Sequence, residues 1–133
     1  MKDFGATILR IIVGITYVMH AYLSLVVFTP TGAADSMKAS GLPAPVLMVW
    51  IVIVVHSLGG VMLVVGLWTR VAAAANAVII LGALLKIHLA QGFFLKVMKT
   101  GTVGGFEFAL LLLAATVALI LTGGGALAAT RDR

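Results

Sequence analysis

The chain has 133 residues, of which 62% are hydrophobic and 10% charged, with a mean hydropathy of +1.23 and no cysteine. A soluble domain carries about 25% charged residues, so a soluble enzyme is excluded, and the missing thiols exclude a disulfide framework, a thiolate metal site and a cysteine-ligated cluster. The net charge of +5 does not point to nucleic acid, because the basic residues lie beside apolar runs and form no face with interleaved aromatics.

The first apolar run, Gly5 to Phe28, is about 36 Å long as a helix and crosses a bilayer with some tilt. It exceeds the ~7–15 apolar residues of a signal peptide, which predicts a retained span. Thr29-Pro30-Thr31-Gly32 is a helix stop. A polar stretch with Asp35, Ser36, Lys38 and Ser40 follows and reads as a connection. Pro43 and Pro45 suit the start of the next helix. The second run, Val46 to Trp68, has Trp50 and Trp68 near its ends as interfacial anchors. Thr69-Arg70 leaves so short a link that the third run, Val71 to about Ala90, must return antiparallel. Gln91 to Gly104 reads as a loop, and a fourth run from about Gly105 to Thr122 stops at Gly123-Gly124-Gly125.

Small residues, among them Gly14, Gly59, Gly60 and the Ala72–Ala75 run, allow close approach of helices where lipid supplies no hydrophobic drive. The predicted fold is an all-α membrane protein: an antiparallel four-helix transmembrane bundle, one domain over residues 1–133 with spans at about 5–28, 46–68, 71–90 and 105–122. Four spans put both termini on one side. Lys2, Arg10, Arg70, Arg131 and Arg133 then slightly outnumber Lys38, Lys86, Lys96 and Lys99, which predicts cytoplasmic termini.

An ionisable side chain near the bilayer centre costs about 2.5–3.5 kcal/mol on insertion scales, so the few present are the candidate site. Antiparallel threading brings His20, Lys86, His88 and Glu107 to one height, with Tyr17 and Gln91 nearby as hydrogen-bonding groups. His56 falls near the midplane, and Arg10 lies near the opposite face, where it is expected to snorkel. Lys86 and His88 are about 200° apart around a helix, so one faces the bundle and the other faces away. Glu107 either pairs with Lys86 or a histidine, or simply complements its helix dipole. A binding pocket among His20, His88 and Glu107 is the favoured reading; no metal is expected, since no His-x3-His or carboxylate–His pattern occurs.

Leu9-Arg10, Gly14, His20, Gly41-Leu42-Pro43-Ala44-Pro45, Gly59-Gly60 and Gly66-Leu67-Trp68-Thr69-Arg70 occur in an order that resembles the DoxX family. So do His88-Leu89-Ala90-Gln91-Gly92-Phe93-Phe94 and Gly104-Gly105-Phe106-Glu107-Phe108-Ala109, and the likeness covers about residues 8 to 125. The resemblance implies a four-span inner-membrane protein, a link to thiosulfate:quinone oxidoreduction and membrane redox complexes, and family-like polar positions at Arg10, His20, Gln91 and Glu107. Many members carry a carboxylate where this chain has His56, and a basic residue shortly after the first-helix histidine, where Ala21 to Phe28 has none.

The expected function is that of a membrane subunit of a redox complex, binding quinone or a similar amphipathic molecule, with His20 or His88 bonded to a quinone carbonyl and Glu107 orienting that histidine. Electrons would come from an oxidoreductase partner, and the chain would be oligomeric. A b-type haem between histidines is the competing cofactor, and a non-catalytic anchor, an assembly factor or an oligomeric permease are the competing functions.

Overall fold

The structure, a computed structural model, describes residues 2–98, 101–103 and 105–130. Five helices account for most of them: α1 (Lys2–Tyr22), α2 (Thr29–Ala39), α3 (Pro45–Val65), α4 (Thr69–Ala83) and α5 (Glu107–Thr122). The helices α1, α3, α4 and α5 pack around one core, each antiparallel to its neighbours in the order α1–α3–α4–α5 and back to α1. Among the described residues, three apolar segments are long enough to cross a membrane: Asp3–Val27, Pro45–Val65 and Thr69–Gln91. The fourth, α5, is apolar but has 16 residues, which gives about 24 Å against a hydrocarbon thickness of ~30 Å. Ile8, Val46, Val78 and Leu111 are among many large apolar side chains exposed on the outer faces, as a lipid-bathed bundle requires.

Two of the spans do not end as regular helices. After Tyr22 the chain widens into a π-helix over Leu23–Val27, closed by the Phe28 amide donating to the Leu23 carbonyl at 2.9 Å. After Ala83 it does so again over Leu84–His88, then tightens to a 3-10 turn at Leu89–Gln91. Each extra residue per turn rotates the side chains that follow, and such insertions concentrate at functional sites. Both lie at the same end of the bundle.

The polar stretch that reads as a connection is instead helix α2. Thr29 turns the chain at φ +61°, Pro30 takes the first turn where a missing N–H costs nothing, and Ala33 and Ala34 bury against Val49 and Ile53 of α3. Ala and Met supply the buried stripe that the composition of this stretch hides. Within the expected loop before α5, Lys96–Met98 (β1) pairs antiparallel with Gly101–Val103 (β2) as a two-stranded hairpin. Lys99, Arg131 and Arg133, which enter the charge comparison above, lie outside the described residues.

The opposite end is tied together by Arg10, which is 2% exposed and does not snorkel. Its Nε donates to the Gly124 carbonyl at 2.7 Å, Nη1 to the carbonyls of Leu63 at 2.8 Å and of Val64, and Nη2 to that of Leu127 at 2.7 Å. Leu63 and Val64 lie in the last turn of α3, and Gly124 just beyond the end of α5, where unpaired carbonyls carry negative partial charge. The chain after α5 is strapped across this end: the Ala126 amide donates to the Asp3 carbonyl at 3.1 Å, and the Thr130 amide to that of Gly66 at 3.0 Å. Gly66, at φ +75°, leaves the guanidinium its space, since an added Cβ would meet Arg10 Cζ at 2.8 Å.

Helices α1 and α3 touch backbone to backbone. A Cβ on Gly14 would meet the Gly60 carbonyl at 2.7 Å, and one on Gly60 the Gly14 carbonyl at 2.8 Å. Gly60→Ala is therefore expected to lower the unfolding midpoint, whereas Gly82→Ala, whose Cβ meets nothing within 4 Å, should raise stability by about 0.5–1 kcal/mol through helix propensity. Arg10→Met leaves buried carbonyls without donors, and should cost on the order of 3 kcal/mol or more. Arg10→Lys, with a shorter reach and no planar fork, should fall between. Denaturation of the purified protein in mixed detergent micelles, followed by tryptophan fluorescence, measures all four.

Candidate functional site

At the end of the bundle away from Arg10, a chamber of about 320 Å³ opens among α1, α2, α3, α4 and the start of α5. That volume falls in the ~300–1,000 Å³ range of small-molecule sites. Its walls are mainly apolar, with Val52, Ile79, Ile80 and Phe108 among them. All three histidines of the chain, His20, His56 and His88, line it. Ser24, Ser36 and Ser40 add hydroxyls from the π-helical end of α1 and from α2.

Each ring is held by a different element. The Nδ1 of His20 lies 2.8 Å from the Thr16 carbonyl one turn earlier in α1. A carbonyl only accepts, so this nitrogen carries the proton and Nε2 of the neutral ring keeps its lone pair. Phe108 stacks on the same ring, with centroids 5.8 Å apart and planes at 8°. The His56 Nδ1 lies 2.7 Å from Asn76 Oδ1. The orientation of that amide follows from its other end, where Nδ2 donates to the Ala72 carbonyl at 2.8 Å. Nδ1 of His56 is therefore also the donor, and its Nε2 too is left as an acceptor.

Asn76 is fully buried, and its amide fits only because position 59 is glycine: a Cβ there would stand 2.3 Å from Nδ2. The ring of Tyr17 backs that of His56 at 4.8 Å. Its hydroxyl lies 2.7 Å from Thr116 Oγ1, and that threonine spends its own proton on the Leu112 carbonyl at 2.7 Å. Tyr17 thus donates, and locks α1 to α5 just behind the chamber. The rings of His20 and His56 lie 6.4 Å apart at 80°. His88, at the end of the second π-helix, has an Nδ1 that is buried without a hydrogen-bond partner among the described residues.

Of the residues singled out from the sequence, His20, His56 and His88 meet in the chamber, and Tyr17 supports it from behind. Lys86 and Gln91 are exposed. Glu107 sits at the first position of α5, where its Oε1 accepts the Leu95 amide at 3.0 Å and pins the preceding loop; it does not line the chamber. The Lys86–His88 opposition is as helix geometry requires, with the lysine outside and the histidine inside. Asn76 and Phe108 carry weight that the sequence reading did not assign. A signal for Asn76 exists: it and His56 are equidistant from Gly66 at the turn, so an antiparallel hairpin sets them level. Among the described residues, no three His, Asp or Glu side chains group so as to hold a metal ion.

The family model described as DoxX matches residues 5–89. A protein of Bacillus subtilis (strain 168), named "Putative oxidoreductase CatD", is 29% identical over 121 residues, covering 91% of this chain and 81% of its own length. No solved structure matches the chain.

The Nδ1–H form of histidine is the less usual one, and here it depends on Asn76. Histidine labelled with 15N should show His56 with a protonated Nδ1 and a bare Nε2. In Asn76→Leu that pattern should shift toward Nε2–H, while the His20 resonances keep theirs.

Proposed function

Because the chain belongs to the DoxX family, we propose that it is a membrane-spanning component of an oxidoreductase system and holds a quinone or its quinol in the chamber among His20, His56 and His88. The observation that carries this reading is the pair of imidazoles whose Nδ1 atoms are spent on Thr16 and Asn76, leaving Nε2 of each to meet a ligand. Apolar walls and the exposed face of Phe108 suit a flat ring between those nitrogens. The oxidoreductase name of the Bacillus subtilis relative supports the same class.

A bound quinone supplies two-electron, two-proton chemistry. Neutral His20 and His56 each accept a hydrogen bond from a ligand hydroxyl through Nε2, and can take its proton; in the protonated state each donates through the same atom to a carbonyl. Thr16 and Asn76 accept from Nδ1 in both states, so the rings keep their orientation as the proton moves. His88, with its unpartnered Nδ1, offers a third polar contact. The apolar walls keep water from competing for these bonds. With no thiol in the chain, electrons come from or pass to a partner oxidoreductase, and the protein sits in the cytoplasmic membrane with both termini inside. Glu107 in this reading shapes the loop above the chamber and does not touch the ligand.

Binding to protein in lipid nanodiscs, titrated with a dimethoxy-methyl-benzoquinone head group and its quinol, tests the proposal. His20→Phe and His56→Leu should each weaken binding about tenfold or more, equivalent to about 1.4 kcal/mol; the unfolding midpoint should stay close to that of the parent in His20→Phe and fall in His56→Leu, which strands the buried Asn76 oxygen. Glu107→Gln should bind within about twofold of the parent. Retention of full affinity by both histidine variants would leave a non-catalytic membrane anchor as the function.

A further inference from the structure

The histidine chamber does not end at its own walls. A second cavity, of about 240 Å³, adjoins it and shares Met37, Val52, Ile79, Ala83 and Ile87 with it. This groove is lined by Met48, Ile51 and Val52 of α3, and by Val78, Ile79 and Gly82 of α4, with Met37 of α2 and Leu42 as its cover. Among the described residues no histidine or serine lines it, and the side chains that do are apolar. Its outer rim reaches the lipid-facing surface, for Val78 is 73% exposed and Ile51 41%. The two cavities therefore lie against one shared wall, the histidine-bearing chamber on one side and a wholly apolar groove open to the membrane on the other.

We propose that this groove takes the hydrocarbon tail, of isoprenoid or alkyl type, of the molecule whose head group occupies the histidine chamber, and that the ligand enters sideways from lipid between α3 and α4. The inference rests on the reading of the chamber as a head-group site. Three observations carry it: the shared wall, the change across it from a histidine-bearing to a wholly apolar lining, and the exposed rim. Gly82 adds a fourth. A Cβ there meets nothing within 4 Å, so a glycine inside α4 is not explained by contact with a neighbouring helix. Its missing side chain instead leaves width to the groove. A polar ring entering along this groove stays in contact with apolar walls until it reaches the imidazoles, and its tail need not leave lipid-like surroundings. Selection between ligands then has two parts: hydrogen bonds at His20 and His56 for the head, and tail width at Gly82.

Gly82→Phe puts a ring at a position that lines the groove and not the chamber. The test compares the benzoquinone head group alone with the same head group carrying a decyl chain, each titrated into parent and Gly82→Phe protein in nanodiscs, with thermal unfolding of both proteins as the check on folding. Expected is a loss of at least about tenfold in affinity for the decyl compound, the scale on which hydrophobic pockets reject misfitting groups, with affinity for the bare head group unchanged. Equal binding of the decyl compound by both proteins would overturn the tail path and leave the head-group site standing. Loss of both compounds at an unchanged unfolding temperature would put the ring itself in the groove, and also overturn it. Failure of the parent protein to bind either compound would overturn the head-group reading and this inference with it.

Discussion

One buried cation determines how this bundle is assembled. Arg10 carries five N–H donors in a planar fork, and bonds from it reach carbonyls in the last turn of α3, just after α5 and in the C-terminal strap. Three chain segments distant in sequence, α1, the end of α3 and the chain after α5, are joined by one buried side chain. An unpaired cation in hydrocarbon is costly, and so are carbonyls without donors. Each helps satisfy the other, and the compensation exists only when α1, α3 and α5 end at the same height. That requirement sets the vertical register of the helices, which contacts between alkyl side chains alone specify weakly.

Register at the Arg10 end has consequences at the other. With Arg10 level with Leu63 and Val64, the antiparallel run of α1 against α3 brings Gly14 to Gly60 and Tyr17 to His56. The short turn at Gly66–Trp68 then brings Asn76 level with His56. Tyr17, Thr116, His56 and Asn76 form a buried polar layer in which each named bond crosses between helices or returns to a helix carbonyl. Such bonds hold helices in one rotational setting, and so aim the imidazoles. The carbonyl-rich Arg10 end thus fixes the register, and the opposite end carries the three histidines.

The two π-helical segments fit this division. Both occur where the bundle has to loosen, one leading from His20 toward α2 and one containing His88. Helix α2 then lies against α3 through Ala33 and Ala34 and roofs the chamber with a serine-bearing face. The chamber is thus bounded by departures from regular structure on two sides and by fixed polar contacts on the others.

Much of this was legible in the amino acids. Long apolar runs, their proline and glycine stops, and the tight Thr69-Arg70 link follow from the cost of exposing backbone to lipid, which leaves helices as the economical spans. The order of motifs was enough to identify the family, and height along antiparallel helices was enough to bring His20 and His88 to one end. Azimuth was not legible, because it depends on which small residues meet and on where a helix gains a residue in its turn. Linear spacing therefore could not turn Glu107 toward the Leu95 amide, draw Arg10 inward to carbonyls rather than outward to headgroups, or fold the Thr29–Ala39 stretch onto α3. Local propensity and hydropathy act through neighbours in the chain and determined the apolar helices and their stops. Side-chain direction is decided by contacts between segments far apart in sequence, and those exist only once the helices are packed.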